Sequence, residues 1–125
     1  MVPRERLTML NADTPWSDVV RVVAAAPFSR LPVYRGSADN ILGAVRVKDL
    51  VRRFVSDGPM ALDKLARPVP RIPVTLPADR IIGEFRATRT HMALVVDNTS
   101  RVVGLVTIHD VIGALLGSES PRAMA

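Results

Sequence analysis

The chain has 125 residues, a formal net charge of +5, 48% apolar but only 4% aromatic residues, and no cysteine. That length suits one ordinary domain or two small units sharing a core, with no need of a disulfide or metal staple. The missing cysteine excludes a disulfide framework, a cysteine nucleophile and thiolate zinc sites. Fifteen of the seventeen basic residues are Arg. Such an excess suits planar recognition of phosphate or carboxylate, although a GC-rich coding bias explains it equally well. The basic residues are scattered, with Arg52-Arg53 the only adjacent pair, so nucleic-acid binding is allowed but not indicated. The apolar runs fall far short of the roughly 20 residues of a membrane span. Pro3, Arg4, Glu5 and Arg6 interrupt any signal peptide.

In chain order, a short extended segment is expected near residues 7–10. A helix follows, with Thr14 as a hydroxyl N-cap and Pro15 in the first turn. It offers Val19, Val20, Val22, Val23 and Ala26 to a core. Two β-branched runs come next, residues 31–35 and 41–47, joined by the polar turn 36–40, and read as a hairpin. A further helix runs from near Lys48 to Asp57-Gly58. Residues 58–70 hold three prolines and read as a linker.

The pattern then recurs. Residues 71–74 read as an edge strand beside Pro70 and Pro73. Thr75 and Pro77 start a helix that buries Ile81, Ile82 and Phe85. A second hairpin turns at residues 98–101. A last helix runs from Ile108 to Gly117, and residues 118–125 read as a disordered tail.

A slide of 61 positions aligns the halves without a gap from Thr14 to Val51. Thr14 meets Thr75, Gly43 meets Gly104, and Asp49 meets Asp110. Each half is β-α-β-β-α. The expected fold class is therefore α/β (α+β), two repeats packed with pseudo-twofold symmetry: residues 1–57, linker 58–70, residues 71–117 and tail 118–125. A cleft between repeats is a favourable place for a ligand.

This repeat, with Gly-h-h-Thr-h-x-Asp at its third strand and last helix, resembles the cystathionine-β-synthase (CBS) domain. Two in tandem resemble a CBS pair, or Bateman module. Met1-Val2-Pro3-Arg4 and residues 29–34, 39–43, 48–50, 91–97 and 104–107 are similar to one branch, the magnesium/cobalt efflux, haemolysin-C-like membrane proteins. The resemblance covers residues 1–117. Two departures stand out: residues 98–101 are Asn-Thr-Ser-Arg where the branch has Glu-Tyr-Gly-Gly after the Asp, and His109 replaces an acidic residue. The membrane domain and the transporter-associated domain that flank the pair in the branch are absent, so the chain is either an excised piece or a stand-alone relative.

Thr107 and Asp110 form the sharpest element. Thr107 ends a strand and Asp110 lies in the first turn of the next helix, beside free backbone N–H groups. A carboxylate there can accept two hydrogen bonds from a ribose diol; the same spacing is close to a capping box. The resemblance implies that Asp110 binds ribose and Thr107 supports ribose or phosphate. It also implies that Ser29, Arg30, Thr90 and His91 face a central cleft where phosphates converge. Backbone at Val74 and Thr75 would read the adenine edge, with Ile72 and Met92 against its face. In the first repeat Asp49 is kept but Arg46 replaces Thr, so one competent nucleotide site, at Asp110, is expected rather than two. Arg46 would fill space or meet a phosphate, and Lys48 would reach a second phosphate or lie on the surface.

No nucleophile, phosphate-loop or metal-ligand motif appears. Magnesium would arrive with ATP phosphates rather than in a protein cage. The expected function is a non-enzymatic, regulatory CBS pair that binds an adenine nucleotide, ATP or AMP, on the cytosolic face of the membrane within a larger protein. It would form a homodimer through the faces of residues 50–55 and 111–116. The rival is a nucleotide-blind dimerisation or scaffold module. Nucleic acid is not an expected partner.

Overall fold

The computed structural model describes residues 1–25 and 29–116. Ala26, the helix end expected at Gly117 and the tail 118–125 lie outside the described residues. The fold is mixed α and β. The chain divides into two compact units, one of Thr8–Pro68, the other of Met1–Leu7 with the residues from Val69 onward.

In the first unit, β2 (Leu10–Asn11) lies parallel to β3 (Arg30–Arg35), which pairs antiparallel with β4 (Ser37–Arg46). Helix α1 (Trp16–Ala25) follows β2, and α2 (Val47–Arg52) follows β4, continuing into a π-helical turn at Arg53–Asp57 that ends at Gly58. Apolar residues on the strands and helices meet in one cluster of Leu10, Val19, Val23, Leu31, Val33, Val45, Leu50 and Leu62. Trp16 and Phe54 close it with ring centroids 4.9 Å apart. Val20 differs from expectation: it is exposed, because the inner face of α1 is made by buried Val19 and Val23, four residues apart, with Trp16 and Val22 half-buried beside them.

The second unit repeats this order. Its sheet runs β1-β7-β6-β5, with β5 (Arg71–Pro73) parallel to β6 (Met92–Val96) and β6 antiparallel to β7 (Val102–Thr107). Helices α4 (Ala78–Thr88) and α5 (Ile108–Leu115) pack on it. Ile72, Phe85, Ala93, Val95, Val106 and Val111 form its core. Its extra strand, β1 (Val2–Pro3), pairs with β7 through Val2↔Leu105 and Pro3↔Gly104.

Four local expectations change. Thr75 does not cap α4: the N-cap is Pro77, without a side-chain bond, because Leu76 N–H on the Pro73 carbonyl holds Thr75 in the preceding turn. Thr14 likewise lies in a turn, its N–H on the Asn11 carbonyl, and the Pro15 carbonyl receives the first helical N–H of α1. The first hairpin is tighter than expected. It turns at Gly36 (φ 76°), and register shifts at Tyr34 absorb residues 37–40 into β4.

The fourth change is the supposed linker. Residues 58–70 carry a short helix, α3 (Leu62–Leu65), whose Leu62 is fully buried in the first core. Burial of that one side chain is worth about 1.5–3 kcal/mol. Arg67 then bridges Ala44 with backbone bonds of 2.9 Å in both directions. Arg35 adds ion pairs to Asp13 and Asp63, both at 3.4 Å.

The glycines at repeat-equivalent positions explain how a crossing segment fits in each unit. A Cβ on Gly43 would lie far inside contact distance of the Arg67 carbonyl oxygen. A Cβ on Gly104 would lie 2.6 Å from the Val2 carbonyl oxygen. Each hairpin therefore needs a residue without a side chain where a foreign strand crosses it.

Candidate functional site: the Thr107–Asp110 turn and its altered counterpart

Strand β7 ends at Thr107, which is extended (φ −110°, ψ 165°), and α5 begins at the next residue. Asp110 N–H donates to Thr107 Oγ1 at 3.3 Å, and Thr107 N–H donates to Asp110 Oδ2 at 3.1 Å. The capping box is thus formed in full. It stabilises the helix start by about 1 kcal/mol. The chain's amino terminus approaches the same Oδ2 at 3.9 Å. The cap leaves Oδ1 unused, on a carboxylate whose side chain is only 8% exposed.

Thr90 and His91 arrive beside this turn. The His91 carbonyl accepts from Ile108 N–H at 2.9 Å, and Met92 is the cross-strand partner of Thr107. Thr90 Oγ1 lies 2.8 Å from Thr88 Oγ1. Arg89, in the left-handed region at φ 55°, ends α4 just before them. Thr90, His91 and Ile108 line a cleft of about 310 Å³ with Ile82, Phe85, Arg86 and Arg89.

Val74 and Thr75 do not join this group within their unit. Val74 N–H is bonded to the Val96 carbonyl, at the far end of β6 from Met92. Four strand steps separate the two ends, about 13 Å. Ile72 and Met92 are both buried, and Ile72 belongs to the core cluster.

The first unit shows what one substitution does to the same turn. Arg46 is the N-cap of α2 and makes no side-chain cap. Its guanidinium instead reaches Asp49, Nε to Oδ2 at 3.1 Å and Nη2 to Oδ1 at 3.4 Å. Both oxygens of Asp49 are therefore engaged. Ser29, Arg30 and Lys48 gather with Arg46, Val47 and Val51 around an open cleft of about 560 Å³.

The altered second hairpin is organised by Asp97. Its Oδ1 accepts from Thr99 N–H (2.9 Å), Thr99 Oγ1 (2.7 Å) and Arg101 N–H (3.0 Å). These bonds, the Thr99 hydroxyl first, hold its pKa below the ordinary carboxylate value. Asp97 is thus committed to its own turn. Among the described residues no group of three His, Asp or Glu side chains could hold a metal ion, and no helix is long and apolar enough to cross a membrane.

One basic group escaped the sequence reading. Arg52, Arg53, Lys64 and Arg67 come together with Arg46 because the 58–70 segment folds back onto the first unit. The Arg52-Arg53 pair was its only linear signal.

The sequence profile described as "CBS domain" matches residues 1–56 and again residues 62–117. The magnesium and cobalt efflux protein CorC of Pasteurella multocida is 35% identical over 118 residues, covering 94% of this chain and 39% of that protein. The chain spans between 26% and 39% of the length of the first two curated relatives it matches. A solved structure of the CBS domain of the bacterial CNNM/CorC family Mg2+ transporter in complex with ATP is similar, with a TM-score of 0.84 and 30% identity, over 94% of this chain and 84% of that one. A CBS-domain pair with bound AMP from Klebsiella pneumoniae has a TM-score of 0.80 and 25% identity, over 94% of each chain. The chain therefore belongs to the CBS-domain family, as a tandem pair of the kind found in the CNNM/CorC magnesium-transporter relatives.

Proposed function

We propose that this chain is a regulatory module that binds an adenine nucleotide, ATP or AMP, at the Thr107–Asp110 turn. The observation that carries the reading is the contrast between the two repeats. At Asp110 the partner is a compact Thr, and one carboxylate oxygen stays clear of the cap. At Asp49 the Arg46 fork occupies both oxygens. A ribose diol needs a carboxylate oxygen that is still free to accept, so one site is expected, in the second repeat. Thr90 and His91, which lie beside this turn in the same unit, serve as phosphate contacts. Val74, whose N–H is taken by the Val96 carbonyl, and Thr75 lie at the other end of β6 and are assigned no contact at this turn.

The resident chemistry is recognition without catalysis. Nucleotide shifts a conformational equilibrium that an attached membrane domain reads from the cytosolic side, in a magnesium/cobalt efflux or haemolysin-like protein. The repeats 1–57 and 71–117 remain the proposed division. ATP carries its own magnesium where the ion is needed. Supporting the ligand class, relatives of similar fold are described with ATP and with AMP. Calorimetric titration with ATP, with and without magnesium, on the native chain and on Thr107→Ile tests the reading. Saturable binding lost in the variant supports it. No heat and no thermal shift with millimolar ATP or AMP overturns it.

A second reading is a nucleotide-blind dimerisation module. It is favoured by exposed apolar side chains on α2 and its π turn, Val51 and Val55, and on α5 and just beyond, Ile112, Leu115 and Leu116. Both readings place a homodimer on these faces. Val55→Glu with Leu115→Glu should give a monomer by sedimentation at concentrations where the native chain is dimeric.

A further inference from the structure

We infer that the first unit holds a site for a multiply charged phosphate-class anion in the cleft between α2 with its π turn and the α3–Arg67 segment. The site goes beyond the nucleotide reading, which concerns the other unit's Thr107–Asp110 turn. The cleft measures about 300 Å³. Five cationic side chains line it, from Arg46, Arg52, Arg53, Lys64 and Arg67, against the two carboxylates of Asp49 and Asp57.

The charges are not balanced internally. Asp49 is consumed by Arg46. Arg53 reaches only the backbone carbonyl of Asp57, Nη1 to O at 3.4 Å. Among the described residues, Arg52, Lys64 and Arg67 enter no ion pair. A concave surface lined mostly by one sign of charge focuses such a field and attracts an anion. Guanidinium forks favour phosphate oxygens over a point charge.

The walls are fixed rather than floppy. Buried Leu62 anchors α3, and the Arg67–Ala44 bridge pins the far wall at Gly43, where only glycine admits it. The backbone that carries these cations is therefore in place before any ligand arrives, which lowers the ordering cost of binding. A single monovalent anion would leave most of the excess uncompensated. Pyrophosphate, with its paired tetrahedra, answers the excess charge and fits within the cleft.

The probe is inorganic pyrophosphate, titrated by calorimetry at about 0.15 M ionic strength. The expected result is one equivalent bound per chain, weakened about tenfold in Lys64→Ala/Arg67→Ala and in Arg52→Ala/Arg53→Ala. All four are solvent-facing or half-buried side chains, and circular dichroism checks that the variants stay folded. Thr107→Ile should bind pyrophosphate as the native chain does, so loss of ATP binding alone in that variant separates the two readings. Absence of saturation, binding unchanged in both double variants, or non-stoichiometric uptake that salt abolishes would overturn the inference.

Discussion

Arg46 closes on Asp49 from the position that Thr107 holds toward Asp110, and replaces a two-way cap with an ion pair. The same three-residue spacing therefore produces two different turns. Arg46→Thr should restore the hydroxyl cap at the start of α2 and free a carboxylate oxygen of Asp49. The exchange of one partly exposed ion pair for one cap should leave stability within about 1 kcal/mol. The variant should bind a second equivalent of adenine nucleotide, read as stoichiometry by calorimetry. Adding Asp49→Ala should abolish that second equivalent. A ratio that stays at one in Arg46→Thr would show that Arg46 is not what closes the first site.

Asp110 serves the helix and, in the proposed reading, the ligand, and substitutions can separate these roles. Thr107→Ser keeps the hydroxyl, so both the cap and ATP binding should survive. Asp110→Asn keeps an oxygen for the Thr107 N–H but removes the charge that draws a ribose diol. It should cost less than about 1 kcal/mol in urea unfolding yet weaken ATP at least as much as a lost charge-assisted bond, on the order of tenfold. Equal retention of ATP affinity by both variants would remove Asp110 from the site.

The two crossing glycines are a second shared device of the repeats. Gly43→Ala and Gly104→Ala should each destabilise by about 1–3 kcal/mol, since the obstacle is backbone that cannot step aside cheaply. Gly43→Ala should also weaken pyrophosphate, because it pushes Arg67 away from its bridge. Gly83→Ala is the control. It lies inside α4 with open space around a Cβ and should stabilise by about 0.5–1 kcal/mol. Chemical denaturation of the three variants checks all of this.

Both hairpins were legible in the sequence because β-branched runs and turn residues act locally and agree with each other. The Thr107–Asp110 spacing was legible for the same reason, and the structure makes it a cap whatever else it does. The docking of residues 58–70 was not legible. Three prolines read as a linker, and Leu62 alone gives no periodicity, so its burial depends on a cavity that other segments create. Nor could spacing choose between a phosphate and Asp49 as the partner of Arg46. Thr14 and Thr75 matched a cap pattern, but the prolines that follow shift the helix starts to Trp16 and Ala78.

Asp97 gives the chain an acid-sensitive turn. Its folded pKa lies below the ordinary carboxylate value because Thr99 and Arg101 donate to the charged form. The unfolded state therefore binds the proton first as pH falls. The contribution of Asp97 is fully present above the unfolded pKa and fades as pH drops through the folded one. Between about pH 5 and pH 3, the urea midpoint of the native chain should fall more steeply than that of Asp97→Ala. The two curves should converge at the acid end. Asp97→Asn should resemble Asp97→Ala in pH dependence while retaining an acceptor for the turn. Parallel acid limbs for native and Asp97→Ala would show that other carboxylates govern the acid response.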